Sequence, residues 1–526
     1  MRVSTGVLDR PRSLAVPGGR KARRQVWPFG LVAAGFGVVA ALSAVQVALP
    51  SWVRPAAHVM THYGRLHCGF FAIVLLVVAH GLLRRRKAAY WIALVLAACG
   101  VLAAGRSLLA LLLVIGGVTL AIRRSSFPAV PDPARIRGAT VSSLAVLAVG
   151  GIYDGIVHGH RELQLDLGSL IVLGVSVALA VLLAPAPAPK PGDEATRDRV
   201  KDLVAHPSAD TLAPFMLRRD KAYVFSRDGR AVLGYRVLFG VAVVGGDPVG
   251  SSGSFADAVN EFVRLCQRSG WRPAVLGMRD ELAPLWHRHG LRTVGIGDEV
   301  ILDVTRFSLD GREMRNVRQA VQRTYNAGVT TTVVREDELS PELRAELADV
   351  SAQWLNGSRE RGFSMILDEL LTGAHPDCVL VIARDCDHVV GFQRYAPAGP
   401  ALSLDSMRRD RHGPNGLNER MIVDLVTYAR VHNVQTVSLN FAAFRTLIDA
   451  GDERTGLAKL GYWAMHRLDP LIQVESLYRF NAKFRPGYLA RGVAFPSWAT
   501  IPIIAAAMIG MEFTHIKSVS PADPRS

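Results

Sequence analysis

ALSLDSMRRDRHGPNGLNERMIVDLVTYAR, residues 401–430, is the stretch whose reading decides the fold class. It opens as a strand ending at Asp405, continues through Arg408 and Arg409, and turns at Pro414-Asn415-Gly416. From Leu417 the apolar residues Leu417, Met421, Ile422, Leu425, Val426 and Ala429 recur at helical spacing, which leaves Glu419 at the margin of the buried face. A strand handing over to a helix marks an α/β fold. Such junctions commonly carry the chemistry, and this one concentrates two carboxylates and two guanidiniums.

The same alternation extends to both sides. Short strand patterns run from Ala222–Ser226 to Thr436–Phe441, with helical patterns at Phe255–Gln267, Met314–Asn326, Pro341–Leu355 and Leu417–Arg430. Hairpin, helix and strand occur in that order twice, so two similar lobes are expected, about 200–330 and 331–500, within an α/β domain spanning 196–515. Residues 516–526 read as a C-terminal tail. The apolar run Thr500 to Met511 is too short to span a bilayer; it either lies on a membrane surface or caps the second lobe.

The N-terminal region reads differently. Half of the 526 residues are hydrophobic and the net charge is +16, which together suggest a membrane protein with a basic, water-exposed portion and anionic partners. Residues 1–26 form a basic tail. Within 27–184, six apolar segments follow: Trp27–Leu49, Cys68–Leu83, Ala88–Ala104, Leu108–Ile122, Thr140–Ile156 and Leu167–Leu183. The basic tail, Arg84-Arg85-Arg86-Lys87, Arg123-Arg124 with Arg135 and Arg137, and the Lys190 region fall on one side of six spans, so both termini are expected to be cytoplasmic. The fold class expected is therefore an all-α polytopic membrane domain of six helices, then a Pro-rich linker at 185–195, then the α/β domain. Asp154, His158 and His160 suit a wet surface loop better than a metal or proton relay. The five cysteines show neither a CxxC pair nor a nearby histidine pattern, so neither a disulfide framework nor a zinc site is expected.

Several constellations could carry chemistry. The helix after Gly311 places Arg315 and Arg318 on a basic outer face able to hold phosphates, although a solvated face explains the same pattern. Gly245-Gly246-Asp247-Pro248-Val249-Gly250 follows an apolar strand but lacks the Lys-Ser/Thr of a nucleotide loop, so it reads as a tight turn. Glu419 suits a general base or an ammonium ligand; a helix dipole equally favours a glutamate in the first turn. Asn440 and Arg445 end a buried strand. Arg479 and Lys483, one helical turn apart, could neutralise a phosphate or an oxyanion.

At these residues the chain resembles the bacterial phosphatidylglycerol lysyltransferases, also called aminoacyl-phosphatidylglycerol synthases or multiple peptide resistance factors. The resemblance runs from about His206 to Pro496 through DGRAVLGYRV, GGDPVG, RNVRQAVQR, LSLDSMRRD, PNGLNE, LNFAAFR and LYRFNAKFRP in that order. It implies tandem acetyltransferase-like lobes, and transfer of an amino acid, lysine foremost, from aminoacyl-tRNA to the glycerol hydroxyl of phosphatidylglycerol at the inner bacterial membrane. No cofactor or metal is implied, because one ester is exchanged for another. The implied partners are aminoacyl-tRNA, phosphatidylglycerol and an anionic membrane, with an oligomer allowed. By motif position Asp405, Arg408, Glu419 and Lys483 match the family's catalytic set, whereas Ser406 and Arg420 depart from its pattern. Two other readings stay open: transfer to another lipid or cell-wall acceptor, and a transport or sensor protein with a degenerate transferase domain.

Overall fold

The computed structural model describes residues 184–356, 366–443 and 479–512, together with 74–82, 86–104, 108–122, 133–156 and scattered positions between 124 and 183. The chain divides into two compact units, Met1–Ala186 with Gln267–Gly270, and Pro187–Cys266 with Trp271–Ser526.

The first unit contains α1 (Lys87–Ala104), α2 (Leu108–Ile122) and α3 (Pro133–Ile156). Here the expected six-span membrane domain, and with it the inner-membrane location and the cytoplasmic termini, is corrected. Among the described residues, no helix is long and apolar enough to cross a membrane. The reason is length set against apolarity. A hydrocarbon core of about 30 Å asks for roughly 20 apolar residues. The helix α2 has only 15 residues, α1 has 18 and begins on Lys87, and α3 has 24 but carries Arg135, Arg137 and Asp154. Segment Trp27–Leu49, His158 and His160 lie outside the described residues, as do portions of Cys68–Leu83 and Leu167–Leu183.

The second unit is built on one mixed sheet of twelve strands. Its strands are β1 (Ala222–Phe225), β2 (Ala231–Leu238), β3 (Val241–Gly245), β4 (Val249–Gly250), β5 (Arg272–Arg279), β6 (Arg292–Asp303), β7 (Val329–Arg335), β8 (Val379–Asp385), β9 (His388–Ala398), β10 (Ala401–Arg409), β11 (Thr436–Ala443) and β12 (Gly487–Phe495). The helices are α4 (Glu194–Val204), α5 (Phe255–Ser269), α6 (Ala283–His287), α7 (Arg315–Asn326), α8 (Pro341–Leu355), α9 (Leu417–Val431) and α10 (Ile501–Glu512).

Strand order is β1-β2-β3-β5-β12-β6-β11-β10-β9-β8-β7, with β4 paired to β2. Each half contains an antiparallel run that ends in a parallel pair, β3 with β5 and β10 with β11. A helix makes each parallel crossover, α5 in the first half and α9 in the second. Both helices bury the stripe that their apolar spacing dictates: Phe255, Ala258, Val259, Phe262, Val263 and Cys266 on α5, and Leu417, Met421, Ile422, Leu425, Val426 and Ala429 on α9. The last strand of each half is exchanged. β6, which follows the first half, pairs with β11, whereas β12, which follows the second half, pairs with β5. β6 and β12 pair with each other, so the tandem-lobe expectation gives way to a single continuous sheet.

The C-terminal apolar run also differs from expectation. As α10 it packs Ile504, Ala507 and Met511 against Val241, Val243 and Ala274 of β3 and β5, covering the first half of the sheet instead of the second.

Arg491, in the middle of β12, shows why that strand is hard to read from sequence. Its guanidinium is fully buried and meets Asp210 at 2.7 and 2.9 Å, Asp247 at 3.5 Å and Glu299. Arg279 also reaches Asp247, at 2.8 Å. Burial works against the charge of Asp210, but Arg491 outweighs it and holds the carboxyl below its ordinary value. Asp247 is pushed up to about 7, first by burial and then by neighbouring Asp210. Asp247 keeps a proton in the fold that the unfolded chain loses near pH 4, so this contribution is full below about pH 4 and is lost as pH rises towards about 7. Denaturation between these limits is expected to show stability falling by up to about 1.4 kcal/mol per pH unit more in the parent chain than in Asp247→Asn. Parallel pH profiles for the two proteins would contradict it.

Candidate active site

The parallel strands β10 and β11 pair only from Ala401↔Thr436 to Ser403↔Ser438, and each is then interrupted by an irregularity. In β10 the register against β9 shifts between Leu404 and Ser406, leaving Asp405 as the bulged residue. In β11 the register against β6 shifts between Ser438 and Phe441, and Asn440 adopts φ 72°. Bulges re-aim side chains and end pairing, and here they separate neighbouring strands at the same level. Asn440 Nδ2 bridges the gap by donating to the Leu404 carbonyl at 3.1 Å. Its own N–H donates to Ser438 Oγ, and Ser438 donates to Glu299 of the Arg491 cluster. A polar chain therefore runs from the first half of the sheet to the residue before Asp405.

Asp405 is buried, with both oxygens engaged. Oδ2 meets Arg394 Nη1 at 2.8 Å, and Oδ1 accepts the Leu367 N–H at 2.6 Å. Arg394 in turn binds Glu336 at 2.7 Å, and Glu336 accepts the Gly373 N–H at 3.1 Å. Asp405, Arg394 and Glu336 thus fasten segment 366–373 to the sheet. Removing one member of a buried ion pair strands the other, so Asp405→Ala is expected to cost about 3 kcal/mol in urea denaturation. A loss below about 0.5 kcal/mol would contradict this structural duty.

Glu419 and Lys483, 64 residues apart, meet at 2.9 Å. Glu419 sits in the first turn of α9, whose start is fixed by Gly416 at φ 101°; a Cβ there would lie 2.4 Å from the Ala320 carbonyl oxygen of α7. Only glycine meets both demands. On the other side, Phe484 is buried in the core beneath α9 and Phe480 packs at its edge, with ring centroids 5.5 Å apart. These two rings anchor the turn and leave Lys483 Nζ outside, 5.2 Å from the Phe480 centroid. The Glu419 side chain is 11% exposed and that of Lys483 43%. The pair is therefore reachable, whereas Asp405 is not.

The remaining expected site residues make no hydrogen bond or ion pair with this pair that the structure records. Arg408 is buried, and burial lowers its guanidinium to about 10. Arg318 donates to the Leu309 and Gly311 carbonyls and closes the loop ahead of α7, while Arg315 stays exposed on that helix. Arg479 is exposed, and Arg445 lies outside the described residues. Of the two departures from the family pattern, Ser406 is buried at the bulge. Arg420 lies 3.3 Å from the Tyr325 ring centroid and pairs with Asp424, tying α9 to α7. The sequence reading missed Arg394 and Glu336. Nothing near Arg394 in sequence distinguishes it, although a charged residue inside a strand as apolar as β9 is itself a cue to a buried partner.

A cavity of about 510 Å³ lies elsewhere, between α4 and segment 367–378, and includes Leu367, Glu369 and His375 but neither Glu419 nor Lys483.

Residues 200–495 match a family model described as "Phosphatidylglycerol lysyltransferase, C-terminal". The chain belongs to that family. An MprF-like domain protein of Mycobacterium tuberculosis is 41% identical over 324 residues, 60% of this chain and 66% of its own length. The lysylphosphatidylglycerol biosynthesis bifunctional protein LysX of Gordonia bronchialis is 38% identical over 311 residues, 58% of this chain but 27% of its own. The chain thus spans just under two thirds of the first relative and about a quarter of the second. Two solved structures share the fold. The C-terminal domain (DUF2156) of a candidate lysylphosphatidylglycerol synthetase from Agrobacterium fabrum gives a TM-score of 0.54 at 23% identity, covering 61% of this chain and 98% of that one. L-PGS from Bacillus licheniformis gives 0.51 at 20%, covering 62% and 99%.

Proposed function

We propose that this member of the family transfers an aminoacyl group, lysyl in the first instance, from aminoacyl-tRNA to the glycerol hydroxyl of phosphatidylglycerol. The observation that carries the reading is the Glu419–Lys483 pair, a largely buried carboxylate and a half-exposed ammonium held 2.9 Å apart at the start of a helix. In this scheme Glu419 takes the proton of the lipid hydroxyl as its oxygen bonds to the aminoacyl carbonyl carbon. Lys483 holds the oxyanion that develops there or the lipid phosphate beside it. The ester bond to the tRNA ribose then breaks, and the leaving hydroxyl recovers the proton from Glu419. One ester replaces another, and no net charge is created at the site.

Asp405, with both oxygens committed, acts in this scheme as a positioning residue: through Leu367 and Arg394 it sets the walls beside the separated strands. Arg315 and Arg479, both exposed, would contribute positive surface for the phosphates of both substrates. The family's name and the names of the LysX relatives support lysine and phosphatidylglycerol. The product headgroup would offset the lipid's negative charge and so weaken attraction to cationic peptides. Mass spectrometry of lipids from cells with and without the gene tests this. A lysyl ester of phosphatidylglycerol that accompanies the gene is expected, and an aminoacyl group found on a different lipid would redirect the reading to another acceptor.

A further inference from the structure

Three potential metal ligands converge beside the 510 Å³ cavity, whose lining includes Glu369 and His375 but neither Glu419 nor Lys483. They are Asp368, Glu369 and His375, whose ligand atoms all lie within 4.8 Å of one another. Glu369 is more than nine-tenths buried, and the side chains of Asp368 and His375 are each 11% exposed. Asp368 Oδ2 accepts the Arg219 N–H at 2.8 Å, but its Oδ1, buried and aimed into the cluster, has no hydrogen-bond partner among the described residues. The buried His375 Nε2 is equally without one, and stands 3.9 Å from that Oδ1, too far for a hydrogen bond. Glu369 Oε2 is also buried, and its cation is the Arg219 side chain at 2.6 Å, which is 55% exposed.

Buried polar atoms are ordinarily satisfied, so two orphans facing each other beside a second carboxylate call for an explanation. We propose that Asp368, Glu369 and His375 bind one divalent transition-metal ion. Two carboxylate oxygens and one imidazole nitrogen form a donor set suited to zinc, manganese or ferrous iron, with open positions for water facing the cavity. Ligand bonds of about 2.0–2.2 Å require the three atoms to close in only slightly from their present spread. Arg219, being largely solvated, can yield Glu369 to the ion at small cost. The ion would staple segment 366–375 at a useful point. Ile366 accepts a bond from Arg218 at 2.9 Å, and Leu367 donates to Asp405. The site would therefore stiffen the loop that holds Asp405 and needs no role in the chemistry.

The test uses the full chain, stripped with chelator and dialysed against Zn²⁺ or Mn²⁺. One equivalent per chain is expected, with a rise in Tm of roughly 5 °C at a hundredfold excess over Kd. His375→Ala and Asp368→Asn should each weaken binding at least ~100-fold and abolish the rise in Tm. Should either variant fail to fold, Co²⁺ added to the wild-type chain gives a second readout. Visible absorption bands from imidazole and carboxylate ligation, with protons released below about pH 6.5, are expected. Failure of the wild-type chain to retain any of these ions, or folded variants that bind as it does, would overturn the proposal.

Discussion

Lys483→Ala is expected to slow aminoacyl transfer by about 10²–10⁴-fold without disturbing the fold. The side chain is 43% exposed, and the residues that fix its turn are Phe480 and Phe484, which the substitution leaves in place. Only the lysine of this pair is substantially exposed, so the loss of stability should be about 1 kcal/mol, a small fall in the thermal midpoint beside the loss of rate. Glu419→Gln should give a loss of similar size, and Lys483→Arg should recover some of the rate, because a guanidinium supplies the charge with different geometry. Initial rates with lysyl-tRNA and micellar phosphatidylglycerol are the measurement. A Lys483→Ala protein working within about threefold of the parent chain would remove Lys483 from the chemistry.

The second large effect is on folding. Arg491→Ala should cost about 5 kcal/mol, enough to leave many domains largely unfolded. Arg491 faces Asp210, Glu299 and Asp247, all buried, and Arg279 reaches only two of them. Without the guanidinium, Glu299 and Asp210 must stay charged in a dry place or take up protons, and either course favours the unfolded chain. Because β12 is the strand shared with β5 and β6, the loss should appear as a single cooperative transition at lower urea. Combining Arg491→Met with Glu299→Gln should restore some of the stability, since the pair is then neutralised together. An Arg491→Ala midpoint equal to that of the parent would show that the cluster is not the support inferred for it.

The α/β character was legible wherever local pattern and tertiary burial agree. The spacing from Leu417 to Ala429 maps directly onto the buried face of α9, and Gly416 marks its start for reasons that are entirely local. What escaped depends on partners remote in sequence. The strand β12 reads poorly because GYLARGVAF carries an arginine at its centre, and its partners come from residues 210, 247 and 299. Arg394 and Glu336 are hidden for the same reason, and without them Asp405 looks free when it is bound. The pairing of Glu419 with Lys483 rests on a turn 64 residues away that no periodicity predicts, so motif resemblance alone pointed to it. The N-terminal reading failed on another ground. Apolar composition and charge segregation favoured spans, but among the described residues no helix is long and apolar enough to cross a membrane: α2 has 15 residues, α1 begins on Lys87, and the longer α3 carries charge at both ends.

The most direct test of the central claim follows the aminoacyl group itself. The purified chain is mixed with tRNA charged with labelled lysine and with phosphatidylglycerol in detergent micelles, and the organic extract is analysed for label and mass. The expected result is label passing into an alkali-labile lipid with the mass of lysyl-phosphatidylglycerol, and none doing so with Lys483→Ala. Label remaining on tRNA, or appearing only as free lysine while the protein stays folded, would contradict the account.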